Sequence, residues 1–228
     1  MGKVEDKYYR KTRQVEDSYV LDFLQKTYGD RAYGILEVGS GLGRFALKLR
    51  ERPNSTVCCI EKNPNLGKIT QDAGMYTHIG DLNEIELDDN SFDVIHCSHV
   101  IEHLGYPQIV ETLDRFYNML KPNGYMIIRS PLLSDKFYFD IDHIRPYPPL
   151  AILAYFSNME QQRKSDNKIE LIKVRFRRQA FVPFPYAISG CKLMINRIMM
   201  FLWTSIRFPQ CRPNGYTLIL KKNGIQSK

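Results

Sequence analysis

Five short apolar runs alternate with helix-like segments over the first 131 residues. The runs are GILEVG (34–39), TVCCIE (56–61), YTHIGD (76–81), FDVIHCSH (92–99) and GYMIIRSP (124–131). Continuous runs of this kind, rich in β-branched residues, indicate parallel strands buried on both faces. The intervening segments 43–52, about 63–73 and 107–120 fit crossover helices. The pattern predicts an α/β, Rossmann-like, doubly wound sheet.

The pattern changes after residue 131. A proline-rich passage, DHIRPYPP, precedes a helix-like stretch at 149–162, a strand-like run at 169–178 and a final strand at 215–223. The last two strands are separated by about 36 residues, which is far more than most connections span. We therefore predict a mostly parallel seven-stranded sheet with an antiparallel last strand and a helical insertion before it. We divide a single domain, 1–228, into an N-terminal helical segment at 1–33, a core at 34–131, and elements at 132–228 with the insertion at about 183–212.

Length and cysteine content indicate one domain in a reducing compartment. The 228 residues, of which 43% are hydrophobic, suffice for one full-sized core. Five cysteines, at 58, 59, 97, 191 and 211, are odd in number and lack the paired spacing of a zinc site. We therefore expect buried thiols and no metal site. The first twenty residues are charged throughout and lack the apolar core of a signal peptide, so we expect a cytoplasmic location.

The net positive charge of the protein comes from its C-terminal third. From residue 144 onward there are 15 Lys and Arg against 3 Asp and Glu, whereas the preceding residues have 17 against 22. The net charge of +7 therefore hides two regions of opposite sign. A basic region of this size could attract a phosphorylated substrate, an anionic membrane surface or nucleic acid.

A glycine-rich turn follows the first predicted strand. The sequence ILEVGSGLGRFA places Gly39, Gly41 and Gly43 at the mouth of the first crossover helix, where they allow the backbone to approach a ligand closely. A dinucleotide fingerprint, G-x-G-x-x-G, requires glycine at the position of Arg44. The turn therefore does not match a nicotinamide or flavin site.

The G-x-G-x-G turn, preceded by Glu37, resembles motif I of the class I S-adenosylmethionine-dependent methyltransferases. Four later features agree with that family: Glu61 at the end of the second strand, Asp81 in GDLNEI, and the segments SFDVIHCSHVIEHL and LKPNGYMIIRSP. The match covers roughly residues 34–131. It implies S-adenosylmethionine as the cofactor, bound at the carboxyl ends of the strands.

The resemblance also implies roles for individual residues. The turn would wrap the methionine part of the cofactor, the second strand would supply the ribose contact, and the third strand would supply the adenine contact. The cofactor-binding candidates are Glu37, Gly39, Ser40, Gly41, Gly43, Arg44, Glu61, Lys62, Asp81, Leu82, Ser98 and His99. Each carboxylate also has an ordinary structural interpretation: Glu61 as a helix cap, Asp81 as a turn residue and Glu37 as a core-edge acid paired with a lysine.

Histidines are the best candidates for a general base, because their pKa is close to neutral. His96 lies in mid-strand and is expected in the core, whereas His99 is expected beside the cofactor. His103, in the EHL turn, and His143, in FDIDHIRPY, are the catalytic candidates, with His143 favoured because Asp140 or Asp142 could orient it. His103 could instead simply order its loop.

The passage around His143 resembles an "H-x-R-x-Y/F" stretch in a subset of these methyltransferases, many of which act on sugars or glycan precursors. Arg145 and Tyr147 would then line the acceptor pocket. The structural alternative is a proline-stiffened loop with Arg145 on the surface.

The segment 187–206 is long enough to cross a bilayer, but it contains Lys192, Asn196 and Arg197 near its middle. Each central charge would cost about 2.5 to 3.5 kcal/mol on insertion, so an amphipathic helix is the better interpretation. Three roles remain open for it: a lid over the site, a peripheral membrane contact, or a homodimer interface.

The leading functional hypothesis is O-methylation of a small-molecule, sugar or glycan-precursor hydroxyl. A nucleic-acid methyltransferase is an alternative suggested by the basic third. The segment CSHV, however, lacks the Asn/Asp-Pro-Pro-Tyr motif of base amino methylation, and no Pro-Cys nucleophile occurs. A non-catalytic cofactor-binding partner subunit is the third hypothesis.

Overall fold

The structure is a computed structural model that describes residues 3–52, 54–134, 136–157, 164–210 and 212–224. Seven strands form one sheet in the order β3-β2-β1-β4-β5-β7-β6, in which β7 runs antiparallel to both of its neighbours. The strands are β1 (Tyr33–Val38), β2 (Ser55–Glu61), β3 (Tyr76–Ile79), β4 (Phe92–Ser98), β5 (Leu120–Pro131), β6 (Ile169–Arg177) and β7 (Gly215–Lys222). The predicted fold class is confirmed.

Six α-helices accompany the sheet within these described ranges. They are α1 (Lys3–Tyr28), α2 (Arg44–Arg50), α3 (Pro64–Asp72), α4 (Gln108–Met119), α5 (Pro149–Tyr155) and α6 (Gly190–Ile206). The side chain of Asn63 caps α3 by accepting from the backbone N–H groups of Asn65 and Leu66. Such a cap typically contributes about 1 kcal/mol.

Two apolar layers cover the sheet, one on each face. Leu24 of α1 and Leu49 of α2 pack with Ile35 on one face. On the other face, Phe116 of α4 packs with Ile95. Each such buried side chain contributes roughly 1.5–3 kcal/mol of burial free energy. Because both faces of the sheet are covered, the central strands consist of continuous apolar runs, which made them recognisable in the sequence.

One helix is shorter than predicted. The helix-like stretch at 149–162 ends at Tyr155, where the backbone N–H of Phe156 bonds back to Ile152 and that of Ser157 to Ala154, closing the last turn. Residues 158–162 of that stretch lie outside the described residues.

The insertion between β6 and β7 forms helix α6, which packs against α1. Asn196, Met200 and Trp203 are its buried residues, and the rings of Trp203 and Tyr8 meet edge to face at 5.3 Å. Among the described residues, no helix combines the length and apolar character needed to cross a membrane.

Candidate functional site

The glycine turn joins β1 to α2 at the carboxyl edge of the sheet. Gly39, Gly41 and Gly43 have φ of 71°, 54° and 71°, a region that favours glycine. The backbone N–H of Gly39 donates to the Ile60 carbonyl at 2.9 Å, which fixes the turn to β2. A Cβ on Gly39 would overlap the Cγ2 methyl of Val100, whereas one on Gly41 would meet open space. The turn is therefore packed on one side and open on the other.

Glu61 ends β2 and holds this turn in place. Its side chain is buried, with Oε2 accepting from the Gly41 backbone N–H at 2.6 Å and Oε1 from the Asn63 backbone N–H at 2.9 Å. Each carboxylate oxygen accepts one hydrogen bond there and can accept another. Glu61 can thus receive ribose hydroxyls while it positions the backbone of the turn.

Asp81 follows β3 at the same edge. One carboxylate oxygen pairs with Lys62 Nζ at 2.8 Å, and the other accepts from the Asn83 backbone N–H at 2.9 Å. The hydrogen bond from Lys62, followed by that from Asn83, lowers the pKa of Asp81 below its ordinary value, against the opposing effect of burial. Asp81 is therefore an ionised acceptor at neutral pH.

These groups surround one cavity of about 370 Å³. It opens between the glycine turn, the ends of β2 and β3 and the segment after β4. Its wall comprises Val38, Gly39, Gly41, Ile60, Glu61, Lys62, Gly80, Asp81, Leu82, Asn83, His99, Val100, His103, Leu104 and Thr112. Eight of the predicted site residues are thus brought together: Gly39, Gly41, Glu61, Lys62, Asp81, Leu82, His99 and His103.

Two histidines stand in the cavity wall. His99 has a φ of 57°, and its Nδ1 lies 3.0 Å from Oε1 of the fully buried Glu102. Burial raises the pKa of Glu102, but the hydrogen bond and charge of His99 outweigh it, so the net pKa is lowered. His103 Nδ1 lies 3.0 Å from the Asp142 carbonyl oxygen.

His143 lies behind His103 and is not among the cavity-lining residues. The two rings are in contact, with centroids 4.9 Å apart. His143 Nδ1 bonds the Phe137 carbonyl oxygen at 2.6 Å, and its Nε2 lies 3.8 Å from Asp140 Oδ2. The expected neighbouring carboxylate is therefore present, and the base role of His143 stays a prediction.

Glu37 is placed on the opposite face of β1 from the cavity. It is buried, and its Oε2 lies 2.6 Å from Nδ1 of His96, its register partner on β4. His96 is fully buried against the Phe45 ring, as expected for a core histidine. Glu37 thus supports the start of the turn from beneath, paired with a histidine where a lysine had been considered.

The remaining predicted residues lie around the cavity and do not line it. Gly43 caps α2, Arg44 begins that helix, Ser40 lies within the turn and Ser98 ends β4. Tyr147 is buried, and its hydroxyl donates to the Leu104 carbonyl at 2.8 Å. Arg145 is exposed, with its guanidinium carbon 5.8 Å from the Tyr147 ring centroid. The Tyr147 hydroxyl thus fastens the 143–147 loop to Leu104 in the cavity wall.

Asn83 and Thr112 were not expected in the site. The Asn83 amide nitrogen lies 3.5 Å from the Thr112 hydroxyl, and Asn83 Oδ1 is buried with no hydrogen-bond partner in the described part of the chain. An acceptor left open inside a polar cavity suits a ligand donor. The position of Asn83, two residues after Asp81 in GDLNEI, was the available signal in the sequence.

The open side of Gly41, the unpartnered Asn83 acceptor and the two strand-end carboxylates fit a nucleoside ligand that carries a short charged arm. The seven-stranded sheet with its antiparallel β7 is a Rossmann-like methyltransferase fold, and these site features lie at the carboxyl ends of its strands.

Comparison with known proteins finds a methyltransferase family model that matches part of the chain. Residues 36–128 match the family model described as a methyltransferase domain. The chain is 32% identical over 95 residues to methyltransferase str2 of Strobilurus tenacellus, which covers 41% of this chain and 34% of that protein. It is 26% identical over 158 residues to phosphoethanolamine N-methyltransferase of Plasmodium falciparum, covering 61% of this chain and 59% of the relative. The chain thus spans about a third of the length of the first relative.

A solved structure of a SAM-dependent methyltransferase from Archaeoglobus fulgidus superposes with a TM-score of 0.60 at 23% identity, covering 92% of this chain and 94% of the other. Residues 36–128 therefore match a methyltransferase domain, and the chain has the fold of S-adenosylmethionine-dependent methyltransferases. S-adenosylmethionine is the cofactor of this domain.

Proposed function

We propose that the protein is an enzyme that transfers the S-adenosylmethionine methyl group to a hydroxyl oxygen of a small-molecule, sugar or glycan-precursor acceptor. The observation that carries the proposal is one cavity whose wall contains both the carboxylates on the cofactor side, Glu61 and Asp81, and the imidazole of His103.

The sulfonium supplies an already activated methyl group, so the protein mainly has to bind and orient. Glu61 receives the ribose hydroxyls, Asp81 orients the adenine end, and the glycine turn leaves room for the methionine arm. The acceptor oxygen forms the new bond to the methyl carbon, the C–S electron pair stays on sulfur, and the hydroxyl proton is released.

His103 is the proton acceptor in this scheme in place of the favoured His143, because His103 lines the cavity and His143 does not. The Asp142 carbonyl can only accept a hydrogen bond, so His103 Nδ1 carries the hydrogen and Nε2 keeps its lone pair. A positioned general base of this kind contributes about 10²- to 10⁴-fold. His143, in ring contact behind it, holds the imidazole in position.

Calorimetric titration with S-adenosylhomocysteine, with NAD as a control ligand, tests the cofactor site. We expect micromolar binding of S-adenosylhomocysteine alone, weakened in Glu61→Ala and unchanged in Glu170→Ala, which removes an exposed carboxylate from β6. Absence of S-adenosylhomocysteine binding to the folded protein would contradict the proposal.

An amine acceptor is a second candidate, favoured by the similarity to a phosphoethanolamine N-methyltransferase. Methyl transfer from isotope-labelled S-adenosylmethionine to hydroxyl and amine acceptors, followed by mass spectrometry, separates the two. The His103→Ala variant should lower kcat for a hydroxyl by about 10²-fold or more. It should affect an amine that is already deprotonated much less.

We also propose that α6 rests on an anionic membrane surface. Met194, Ile198 and Phe201 follow one another at i, i+4 and i+7 and are 65%, 45% and 53% exposed. They lie on one face of the helix, while Asn196, Met200 and Trp203 occupy the buried face. Exposed apolar residues at helical spacing match an interfacial helix, and the exposed Lys192 in the first turn of α6 adds a cation to this segment.

Cosedimentation tests this membrane proposal. The native protein should pellet with phosphatidylglycerol vesicles and far less with phosphatidylcholine vesicles. Phe201→Asp should abolish pelleting, whereas Leu171→Asp, at an exposed apolar position on β6, should not. A native dimer that Phe201→Asp converts to a monomer, without vesicle binding by either protein, would instead identify a subunit interface.

A further inference from the structure

Three potential metal ligands converge beside the cofactor cavity. Glu102, His103 and His143 each offer one donor atom, and these atoms all lie within 4.8 Å of one another. Glu102 and His103 belong to the segment that follows β4, and His143 comes from the loop after β5. Because His103 also lines the cavity, the cluster borders the place where the acceptor would react.

Each imidazole has one ring nitrogen bonded to a backbone carbonyl oxygen. His103 Nδ1 lies 3.0 Å from the Asp142 carbonyl oxygen, and His143 Nδ1 lies 2.6 Å from that of Phe137. A carbonyl oxygen can only accept, so each Nδ1 carries the hydrogen and each Nε2 presents a lone pair. Metal-binding histidines are commonly fixed in this way, with the second nitrogen donating to a backbone carbonyl.

Glu102 contributes a fully buried carboxylate. His99 Nδ1 lies 3.0 Å from one oxygen and the Ser130 hydroxyl donates to the other at 3.1 Å, so each oxygen retains a lone pair. Across the described segments, the only ion pair recorded for this carboxylate is with His99, and no Lys or Arg pairs with it. A buried negative charge without a permanent cation is costly unless another positive group approaches it.

We propose that Glu102, His103 and His143 bind one divalent transition-metal ion at the edge of the cofactor cavity. Two imidazole nitrogens and one carboxylate suit Zn²⁺, Mn²⁺ or Fe²⁺ and leave a coordination position open. Donors about 2.1 Å from a tetrahedral metal lie about 3.4 Å apart. The present spacing of up to 4.8 Å would therefore close by small side-chain rotations.

The open coordination position on the ion suggests its role in methyl transfer, and this part of the inference rests on the proposed function. An acceptor hydroxyl bound there would lose its proton more easily, because a divalent cation lowers the pKa of a bound hydroxyl. The proton would pass to solvent, since His103 Nε2 would then be a ligand and could not also take it. The base role and the ligand role of His103 therefore exclude each other, and metal binding decides between them.

The test uses the full chain after chelator treatment and dialysis. Zn²⁺ and Mn²⁺ are titrated calorimetrically, and Co²⁺ binding is followed by its visible absorption, which reports nitrogen and oxygen coordination. We expect one equivalent of metal to bind. Affinity should fall by about 10- to 100-fold or more in His103→Ala, His143→Ala and Glu102→Gln. His78→Ala is the matched control, because it removes an imidazole on β3 outside the cluster.

S-adenosylhomocysteine binding is measured for every variant, which separates this inference from the proposed function. Retained nucleoside binding with metal binding that disappears in the three cluster variants supports the site. Metal binding without nucleoside binding would contradict the proposed function and leave the metal site standing. Metal binding that is absent from the native protein, or equal in the native protein and the cluster variants, would overturn the site.

Discussion

Asp81 illustrates how one ion pair prepares a side chain for ligand binding. The hydrogen bond from Lys62 and that from the Asn83 backbone N–H lower its pKa. A lowered pKa means that Asp81 favours the folded state above the unfolded-state pKa of about 4, and that this contribution is lost as pH falls through the folded value. Across the neutral range Asp81 is therefore ionised and ready to accept a ligand hydrogen bond.

Replacing Asp81 by asparagine should weaken S-adenosylhomocysteine binding about 10-fold, because a hydrogen bond to a charged carboxylate becomes one to a neutral amide oxygen. Asp72→Asn is the matched control, since Asp72 forms an exposed ion pair with Lys68 at 3.5 Å. Calorimetry at pH 5, 6, 7 and 8 should give a constant ratio of native to variant affinity. A ratio that changes over this range would show that Asp81 titrates there, contrary to its lowered pKa.

The reactivity of the cysteine thiols should depend on their burial, because burial disfavours the reactive thiolate form. Burial raises the pKa of Cys58 to about 11 and, with a smaller contribution from Glu37, that of Cys59 to about 12, while Cys191 is exposed. Iodoacetamide at pH 8 should therefore modify Cys191 and spare Cys58, Cys59 and Cys97. Peptide mass spectrometry measures this, with denaturant as the positive control. Modification of Cys97 at the rate of Cys191 in the native protein would contradict the buried placement.

At the scale of elements, the glycine turn couples fold and site. Gly39→Ala adds a Cβ that overlaps Val100 at a φ of 71°, so we expect a loss of about 2 kcal/mol or more of stability and weaker S-adenosylhomocysteine binding. Gly190→Ala is the matched control, because its φ is 70° but a Cβ there meets nothing within 4 Å.

The double variant Gly39→Ala/Val100→Ala should recover part of the loss, because it removes the overlap and leaves the backbone strain. Denaturant unfolding and calorimetry measure both effects. Equal destabilisation by Gly39→Ala and Gly190→Ala would show that the overlap has no part in it.

Helix α1 is fastened to the sheet by a buried ion-pair network. Asp17 accepts from Arg129 of β5 at 2.9 Å and from Lys48 of α2 at 2.7 Å, and Arg177 of β6 lies 3.4 Å from Glu16. Asp17→Ala would leave Arg129 buried with its main partner gone. We expect a loss of about 3–5 kcal/mol in denaturant unfolding, against less than about 0.5 kcal/mol for the exposed Asp22→Ala on the same helix. Similar losses in both would contradict the network.

The elements differ in how far the sequence alone could predict them. The strands were recognisable because burial on both faces leaves continuous apolar runs, and their ends located the turn, Glu61 and Asp81. Side chains in a strand alternate between faces, so Val38 at the cavity requires Glu37 to point away from it. The resemblance to methyltransferase motif I had instead placed Glu37 among the cofactor-binding residues. Asn83 and Thr112 come from a loop and from α4, whose approach to the site depends on tertiary packing.

At the scale of the whole molecule, the uneven distribution of charge would orient the protein on an anionic membrane. The residues before 144 are net acidic and those from 144 onward are strongly basic. An anionic surface would repel the first part and attract the second, which includes α6. The uneven charge would therefore turn the exposed apolar face of α6 toward the bilayer before any apolar contact forms.

Salt and a single charge reversal test this orientation. Binding to phosphatidylglycerol vesicles should weaken as ionic strength rises from about 0.1 to 1 M, because the screening length falls from about 10 to 3 Å. Lys192→Glu on α6 should weaken binding roughly 10-fold or more, at about 1 kcal/mol for each unit of charge changed near the surface. Lys26→Glu, with the same change in net charge on the last turn of α1, should have a much smaller effect. Equal effects would mean that net charge alone drives association and that α6 has no special place in it.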